Sequence, residues 1–516
     1  MSEHLPKASS ADIGLLLEGT FPYVSGGVSS WVNQIIRAFP EYTFAVIFIG
    51  STPEDYGAMK YALPDNVVHV ETHYIHDPEQ KPVTRSIHGD RKATQQLEDL
   101  HQYFRTPQAH PEAQDLFFRL LPQCEPGKSL DYSHFLHAET SWDFIKKVYQ
   151  QYCYDPSFVD FFWTVRIMHA PIWRLLEVAH KMPQVRVLHT VSTGYAGFLG
   201  ALTKHLRGMP LVLSEHGIYT KERKIDLFQA NWVRDNRSAF ERDSTQVGYF
   251  REMWVRFFES LGRMCYSSAD DIIALYEENR LRQIADGAPP EKTRNIPNGV
   301  DVARLALLRQ QRPVAPPPIL CLIGRVVPIK DIKTFIRAMR TVVNRMPDAE
   351  GWIAGPEDED PQYAAECHAL VDSLGLSDKV RFLGFQQITD LLPQIGLVVL
   401  SSISEALPLA ILEGYAAGVP CVSTDVGSCR QLVEGLEEAD RAIGASGRIV
   451  NIADPAALAD AALELLTNPA AWQRAQQAGV KRVEAYYSQP LMIERYRETY
   501  RNALALAAAQ DGMGAS

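Results

Sequence analysis

A chain of 516 residues, 46% hydrophobic and 22% charged, has the balance of a folded protein and is too long for one ordinary core, so two domains are expected. Its formal charge of −11 excludes nucleic acid as an expected partner, because a phosphate backbone would be repelled, although a local basic cleft can still hold a small anion. Seven cysteines without a Cys-x-x-Cys pair fit neither a disulfide framework nor a zinc site. No apolar run approaches the roughly 18 residues that cross a bilayer. The first residues, MSEHLPKASS, lack a basic stretch followed by an apolar one, so a cytoplasmic enzyme with no transmembrane segment is expected.

Short apolar runs alternate with helical segments along the chain, the pattern of parallel α/β units. The first half is expected to form strands at Ile13–Glu18, Thr43–Ile49, Val185–Thr190, Pro210–Ser214 and Asp271–Leu275. After the first of these, Tyr23-Val24-Ser25-Gly26-Gly27-Val28-Ser29 leads into a helix expected from Ser30 to Phe39. Gly26 and Gly27 let the backbone approach a ligand, and the helix N-terminus offers free N–H groups that suit a diphosphate. A plain tight turn fits the same residues, and neither G-x-G-x-x-G nor a P-loop lysine is present. Between Tyr74 and Met182 the rhythm breaks into an aromatic-rich helical insertion, about 75–182, read as a packing layer or alternatively as a lid or docking surface. Ser214-Glu215-His216-Gly217-Ile218-Tyr219 then places His216 at a strand end, where an imidazole hydrogen-bonds a substrate and titrates near neutrality. A lone histidine in such a place more often has a structural role.

Arg312–Pro318, RPVAPPP, favours an extended connection, and a second alternation follows it: Ile319–Ile323, Gly351–Ala354, Val380–Leu383, Leu397–Ser401 and Cys421–Ser423. The fold class is therefore α/β, with two doubly wound Rossmann-like domains and a ligand cleft at the strand C-termini. The expected division is an N-terminal domain over 1–308 and a C-terminal domain over 319–485. A terminal helix over 486–516 is placed to cross back to the first domain.

Two loops of the second half carry chemistry. In Gly324-Arg325-Val326-Val327-Pro328-Ile329-Lys330-Asp331, a guanidinium and an ammonium near one helix start neutralise a leaving diphosphate without a metal, with Pro328 holding the loop extended between them. In Ser404-Glu405-Ala406-Leu407-Pro408-Leu409-Ala410-Ile411-Leu412-Glu413-Gly414, Pro408 is expected as the first helical residue. Glu405 then lies in the loop among free N–H groups, suited to sugar hydroxyls. Glu413 lies one to two turns inside the helix, where a carboxylate accepts from a ribose diol. Asp358-Glu359-Asp360 forms a D-x-D triplet that would suit a metal-dependent GT-A transferase.

In this order the segments resemble the retaining glycosyltransferases of family 4, which have the GT-B fold. The likeness is most specific in Glu405-x7-Glu413 together with Gly324-Arg325-x4-Lys330, and extends to Asn298-Gly299-Val300-Asp301 and Thr424-Asp425-Val426-Gly427. It implies that Arg325 and Lys330 bind the donor phosphates, that Glu413 holds the ribose, and that Glu405 with the amides around Ala406, Leu407 and Leu409 holds the transferred sugar. His216 would lie near the reacting centre on the acceptor side, and Gly26 and Gly27 would let the first domain close over the diphosphate. The implied donor is a UDP-hexose or UDP-N-acetylhexosamine, with no metal and no cofactor. Many relatives carry glycines where Ala406 and Pro408 stand, and Pro408 lacks an N–H, so one donor to the sugar is missing.

The run Glu18–Val32, with His189–Gly197 and Glu215–Tyr219, more narrowly resembles the cytosolic transferases of bacterial Pel exopolysaccharide synthesis. That likeness implies a polysaccharide acceptor and inner-membrane synthesis proteins as partners, which would hold the enzyme peripherally at that membrane. No second carboxylate is paired with Glu405 at nucleophile distance, so front-face departure of the diphosphate suits retention better than double displacement. Competing readings are a GT-B sugar phosphorylase or nucleotide-sugar epimerase, and a non-catalytic sugar-nucleotide-binding protein.

Overall fold

Near-continuous apolar runs such as Phe44–Gly50, buried at every position, favour strands covered by helices on both faces, as parallel sheets require. In the computed structural model, which describes residues 5–75, 87–104, 111–153, 157–229, 248–313 and 315–514, these runs form two sheets. The chain divides into one unit of Met1–Ala274, Asn279–Arg294 and Arg497–Ser516 and another of Leu275–Glu278 and Asn295–Tyr496.

The first sheet holds β1 (Ser10–Glu18), β2 (Phe44–Gly50), β3 (Val67–Tyr74), β4 (Gln184–Thr190), β5 (Leu211–Glu215), β6 (Asp271–Ala274) and β7 (Thr293–Asn295). Their order is β3-β2-β1-β4-β5-β6-β7, with β1 parallel to both β2 and β4. The strand order reverses between β1 and β4, so the loops leaving those strands diverge and open a crevice at their C-terminal ends. The helix Gly27–Ala38 follows β1 and buries Trp31, Val32, Ile35 and Ile36 on one face, the spacing of an amphipathic helix. Between β3 and β4 come the helices Arg91–Phe104, Pro111–Leu120, Tyr132–His137, Glu139–Tyr152 and Phe158–Lys181. They pack through aromatic contacts such as Phe135 on Trp173, ring centroids 4.4 Å apart. Residues 76–86, 105–110 and 154–156 of the expected helical insertion lie outside the described residues, as does Val314 of the proline-rich connection.

The second sheet holds β8 (Ile319–Ile323), β9 (Glu350–Ala354), β10 (Val380–Gly384), β11 (Leu397–Leu400), β12 (Cys421–Thr424) and β13 (Gly447–Val450), in the order β10-β9-β8-β11-β12-β13. The same reversal falls between β8 and β11, which are parallel neighbours. Asp331 enters the left-handed region at φ 45° and caps the helix Ile332–Arg345, whose Ile332, Phe335, Ile336 and Met339 are buried. No helix among the described residues is long and apolar enough to cross a membrane.

Several details differ from the sequence reading. The strands β3, β7 and β13 were not expected: β3 carries His69, Glu71 and His73 among its apolar residues, and β7 and β13 are only three and four residues long. The first unit gives way to the second at Asn295 rather than at 308. Asp301 caps the helix Val302–Ala306, and Leu305 and Leu308 are buried in the second unit's core. The backbone of Val300 also pairs with Tyr487 and Gln489 of that unit. The terminal helix runs over Gln489–Gly514, and its residues from Arg497 belong to the first unit. There Tyr500 is fully buried, its hydroxyl 2.8 Å from Nδ1 of His189 and its ring against Phe39.

Candidate functional site

At the switch point of the second sheet, the loops after β8 and β11 are tied to each other. Ser401 Oγ donates to the carbonyls of Lys330 and Asp331 at 2.9 and 3.0 Å, and the Ile403 N–H donates to the Ile329 carbonyl at 2.9 Å. Pro328–Lys330 forms a single 3-10 turn, not the extended stretch expected of it, because Pro328 suits the first position of a helical turn. That turn brings Lys330 Nζ onto Glu405 Oε1, and Ser402 Oγ donates to the same oxygen at 2.7 Å. Both partners are largely shielded, with side chains 21% and 14% exposed. The Glu405 loop rests in turn on the bend at Gly427, where φ is 53° and a Cβ would stand 2.1 Å from the Glu405 carbonyl. Only glycine fits there.

Arg325 and Lys330 pair with different carboxylates. The Arg325 guanidinium pairs with the Glu359 carboxylate, both side chains about half exposed. A pair of that kind contributes at most about 1 kcal/mol, so an incoming anion can displace it. Asp360, the last member of the D-x-D triplet, caps the helix Pro361–Ser373 by accepting from the Tyr363 N–H at 3.0 Å. Among the described residues no group of three or more His, Cys, Asp or Glu is placed to hold a metal.

Pro408 is the cap of the helix Leu409–Ala416 rather than its first residue: its ψ of 107° is extended, not helical. The N–H groups of Ala406, Leu407 and Leu409 find no acceptor among the described residues. Glu413, the fifth residue of this helix, has a carboxyl group with no hydrogen bond or ion pair among the described residues. Burial pushes its pKa up to about 7, with Arg304 opposing the shift. A half-buried carboxyl without donors suits a diol.

In the first unit, Gly26 caps the helix Gly27–Ala38 in an extended conformation, and a Cβ at Gly26 or Gly27 would meet nothing within 4 Å. Packing within this unit therefore does not require either glycine, and the space at that helix N-terminus is open. Trp31 lies edge-on to His216, ring centroids 4.5 Å apart. His216 is 8% exposed, and its Nε2 has no hydrogen-bond partner among the described residues. Burial pushes its pKa down to about 4, so the ring is neutral at physiological pH and does not titrate near 7 as its isolated sequence position suggests. Its neighbour Glu215 is satisfied internally: Thr193, the Tyr219 N–H, Tyr266 and Gln283 donate to it at 3.0, 3.1, 2.7 and 3.1 Å.

His216 borders a cleft of about 660 Å³ at the C-terminal ends of β1, β2, β4 and β5, also lined by Glu18, Tyr219, Glu222, Arg223 and Asp226. Sequence reasoning singled out none of these five as site residues. The available signal was Glu18 closing the first strand. Its Oε1 accepts from the Tyr219 hydroxyl at 2.8 Å and its Oε2 from the Ala196 N–H at 3.3 Å. A Cβ at Gly194 would stand 2.3 Å from the Tyr219 ring and 2.5 Å from Glu18, so glycine is needed for this close approach.

Residues 11–291, more than half of the chain, match the family model of a domain of unknown function, DUF3492. The chain belongs to the DUF3492 family. Residues 317–468, which carry all six strands of the second sheet, match the model for glycosyl transferases group 1. Among curated relatives, this DUF3492 member is 26% identical to N-acetyl-alpha-D-glucosaminyl L-malate synthase of Bacillus anthracis, over 34% of this chain and 43% of that protein. It is 29% identical to the D-inositol 3-phosphate glycosyltransferase of Nocardia farcinica, over 48% of this chain and 56% of that protein. The chain thus spans about half the length of these relatives. It is similar in structure to Anabaena HepE, crystallised in complex with UDP, at a TM-score of 0.55 and 15% identity over 95% of this chain and 100% of that one. That likeness is one of fold, two Rossmann-like units of the GT-B type, and the family model matched by residues 317–468 and the Nocardia farcinica relative are by name those of glycosyltransferases.

Proposed function

We propose that the chain is a retaining glycosyltransferase that moves a hexose or N-acetylhexosamine from a UDP-sugar to a growing exopolysaccharide of the Pel type. The observation that carries the reading is the Lys330–Glu405 contact at the switch point of the second sheet. A donor's scissile bond joins an anionic phosphate to a hydroxylated sugar, so its binding site needs a cation and a carboxylate a few ångströms apart. Lys330 takes the diphosphate, with Arg325 released from its exposed pair to assist. Glu405 and the N–H groups of Ala406, Leu407 and Leu409 take the sugar, and Glu413 takes the ribose diol. Supporting the choice of nucleotide, HepE was crystallised with UDP and with UDP-glucose.

In the reaction, the bond from the anomeric carbon to the diphosphate oxygen breaks and a bond from that carbon to an acceptor oxygen forms on the same face. The acceptor's proton passes to the departing diphosphate. Arg325 and Lys330 stabilise the negative charge as it develops on the leaving group. His216, neutral and with no partner at Nε2 among the described residues, orients the acceptor or sugar by a hydrogen bond. Gly26 and Gly27 leave room for the diphosphate at a helix N-terminus. The Pel assignment rests on the likeness of Glu18–Val32, His189–Gly197 and Glu215–Tyr219 to PelF, and carries with it inner-membrane Pel proteins as partners and a cytoplasmic, peripherally held location.

The test is to incubate the full chain with UDP-glucose, UDP-galactose and their N-acetylhexosamine counterparts, following UDP release and the anomeric configuration of the product by NMR. Release of UDP with retention is expected. Conversion of the donor to its epimer without an acceptor, or binding without turnover for every donor, would sink the transferase reading.

A further inference from the structure

The cleft of the first unit has the opposite electrostatics to an anion site. Among the described residues lining it, Glu18, Glu222 and Asp226 are carboxylates and Arg223 is the single cation. Arg223 is already engaged. Its Nε donates to the Tyr219 hydroxyl at 3.1 Å, and its other nitrogens lie 3.7 Å from Glu18 and 3.4 Å from Asp226. Its guanidinium also stacks over Tyr219 and Phe258 at 5.2 and 5.4 Å. Among the helix N-termini that border the cleft, that of Gly27–Ala38, whose Val28 lines it, is the one given above to the donor diphosphate, and that of Tyr195–Arg207 is occupied by the protein's own carboxylate, because Glu18 accepts from the Ala196 N–H.

What the cleft offers instead is acceptors and flat apolar faces. Tyr56, Tyr219, Trp254 and Phe258 line it beside the three carboxylates. His216, more than nine-tenths buried, adds an Nε2 without a partner among the described residues. Aromatic faces pack on the C–H faces of sugar rings, and carboxylates accept hydroxyl hydrogens.

Resting on the transferase reading above, we propose that this cleft selects a polyhydroxylated acceptor free of phosphate and carboxylate groups, with Glu18, Glu222 and Asp226 both accepting its hydroxyls and repelling anionic competitors. This sets the chain apart from relatives whose names specify inositol 3-phosphate or L-malate. Like charges brought into a shielded cleft discriminate strongly between ligands of the same shape.

The experiment measures binding of neutral trisaccharides of glucose and of N-acetylglucosamine, each beside its 6-phosphate, to the full chain by saturation-transfer NMR. UDP affinity is measured separately by calorimetry. The neutral member of a pair is expected to bind at least tenfold more tightly than its phosphate. Asp226→Lys, at a side chain 64% exposed and therefore tolerant of change, should narrow that ratio at least threefold, and Asp226→Ala should narrow it less. A phosphate binding as well as its neutral partner, or a ratio unmoved by Asp226→Lys, would overturn the proposal. So would a chain that binds UDP but none of the neutral trisaccharides. Failure to bind UDP strikes the transferase reading itself and is told apart by the calorimetry.

Discussion

At the switch point of the second sheet a lysine from one loop meets a glutamate from the other, while Arg325 of the same loop as the lysine is engaged in a half-exposed pair with Glu359. At the switch point of the first sheet the cation, Arg223, is clasped by two carboxylates and two aromatic rings. The two sheets share strand topology, and in both the loops leaving the strand C-termini build the crevice. Topology therefore fixes where a ligand binds, and the charge left available there decides which ligand it is. In the second unit the cations can exchange their carboxylate partners for phosphate. In the first, the cation has no charge to spare, and the surplus is acidic.

The largest expected effect follows from that contrast. Lys330→Ala should weaken UDP binding by about 1.5–3 kcal/mol, roughly ten- to more than hundredfold, while uridine binding changes little. Arg325→Ala should act in the same direction with a smaller loss, since its side chain is more exposed. Calorimetry with both ligands reads this, and equal losses for UDP and uridine would remove the phosphate from this loop.

The two glutamates should then separate. Glu413→Gln should weaken UDP and UDP-sugar about equally, by roughly tenfold. Glu405→Gln should depress turnover but leave UDP affinity unchanged or slightly improved, because it frees Lys330 from its carboxylate partner. The reverse pattern would exchange their roles.

A smaller effect is expected from pH. With the folded-state pKa of Glu413 pushed up to about 7, UDP affinity should rise severalfold between pH 6 and pH 8 as the carboxylate forms, and Glu413→Gln should flatten the rise. The sign for stability is opposite. The unfolded chain releases this proton near pH 4.5, whereas the folded chain retains it to about 7. Raising the pH through that window therefore destabilises the parent relative to Glu413→Gln, and thermal melts at pH 5 and pH 8 measure the difference. Smallest of all should be the effect of excess chelator on UDP release, since the cationic side chains and helix N-termini supply the charge. Complete loss restored by Mg²⁺ would return attention to Asp358-Glu359-Asp360.

Much of the fold was legible because buried parallel strands announce themselves as apolar runs: Ile319–Ile323 coincides with β8, and the other nine expected strands overlap observed ones to within a few residues at each end. The strands that escaped are those whose pairing, not composition, makes them strands, such as Thr293–Asn295. In the candidate site, loops beside strand ends could be located from sequence, but the partners of their side chains could not. Arg325 and Lys330 are five residues apart and face different acids, Glu359 and Glu405, contributed by separate segments. The neutral state of His216 depends on Trp31 and the surrounding burial, which no local pattern encodes. Glu18 and Gly194 meet across 176 positions of sequence, and only the sheet brings them together.

The measurement that bears most directly on the central claim is a crystal structure of the chain grown with UDP. A diphosphate oxygen is expected within about 2.7–3.2 Å of Lys330 Nζ, with the contact to Glu405 lengthened and the ribose hydroxyls on the Glu413 carboxylate. UDP bound with its phosphates away from Lys330, or with its ribose away from Glu413, would contradict it.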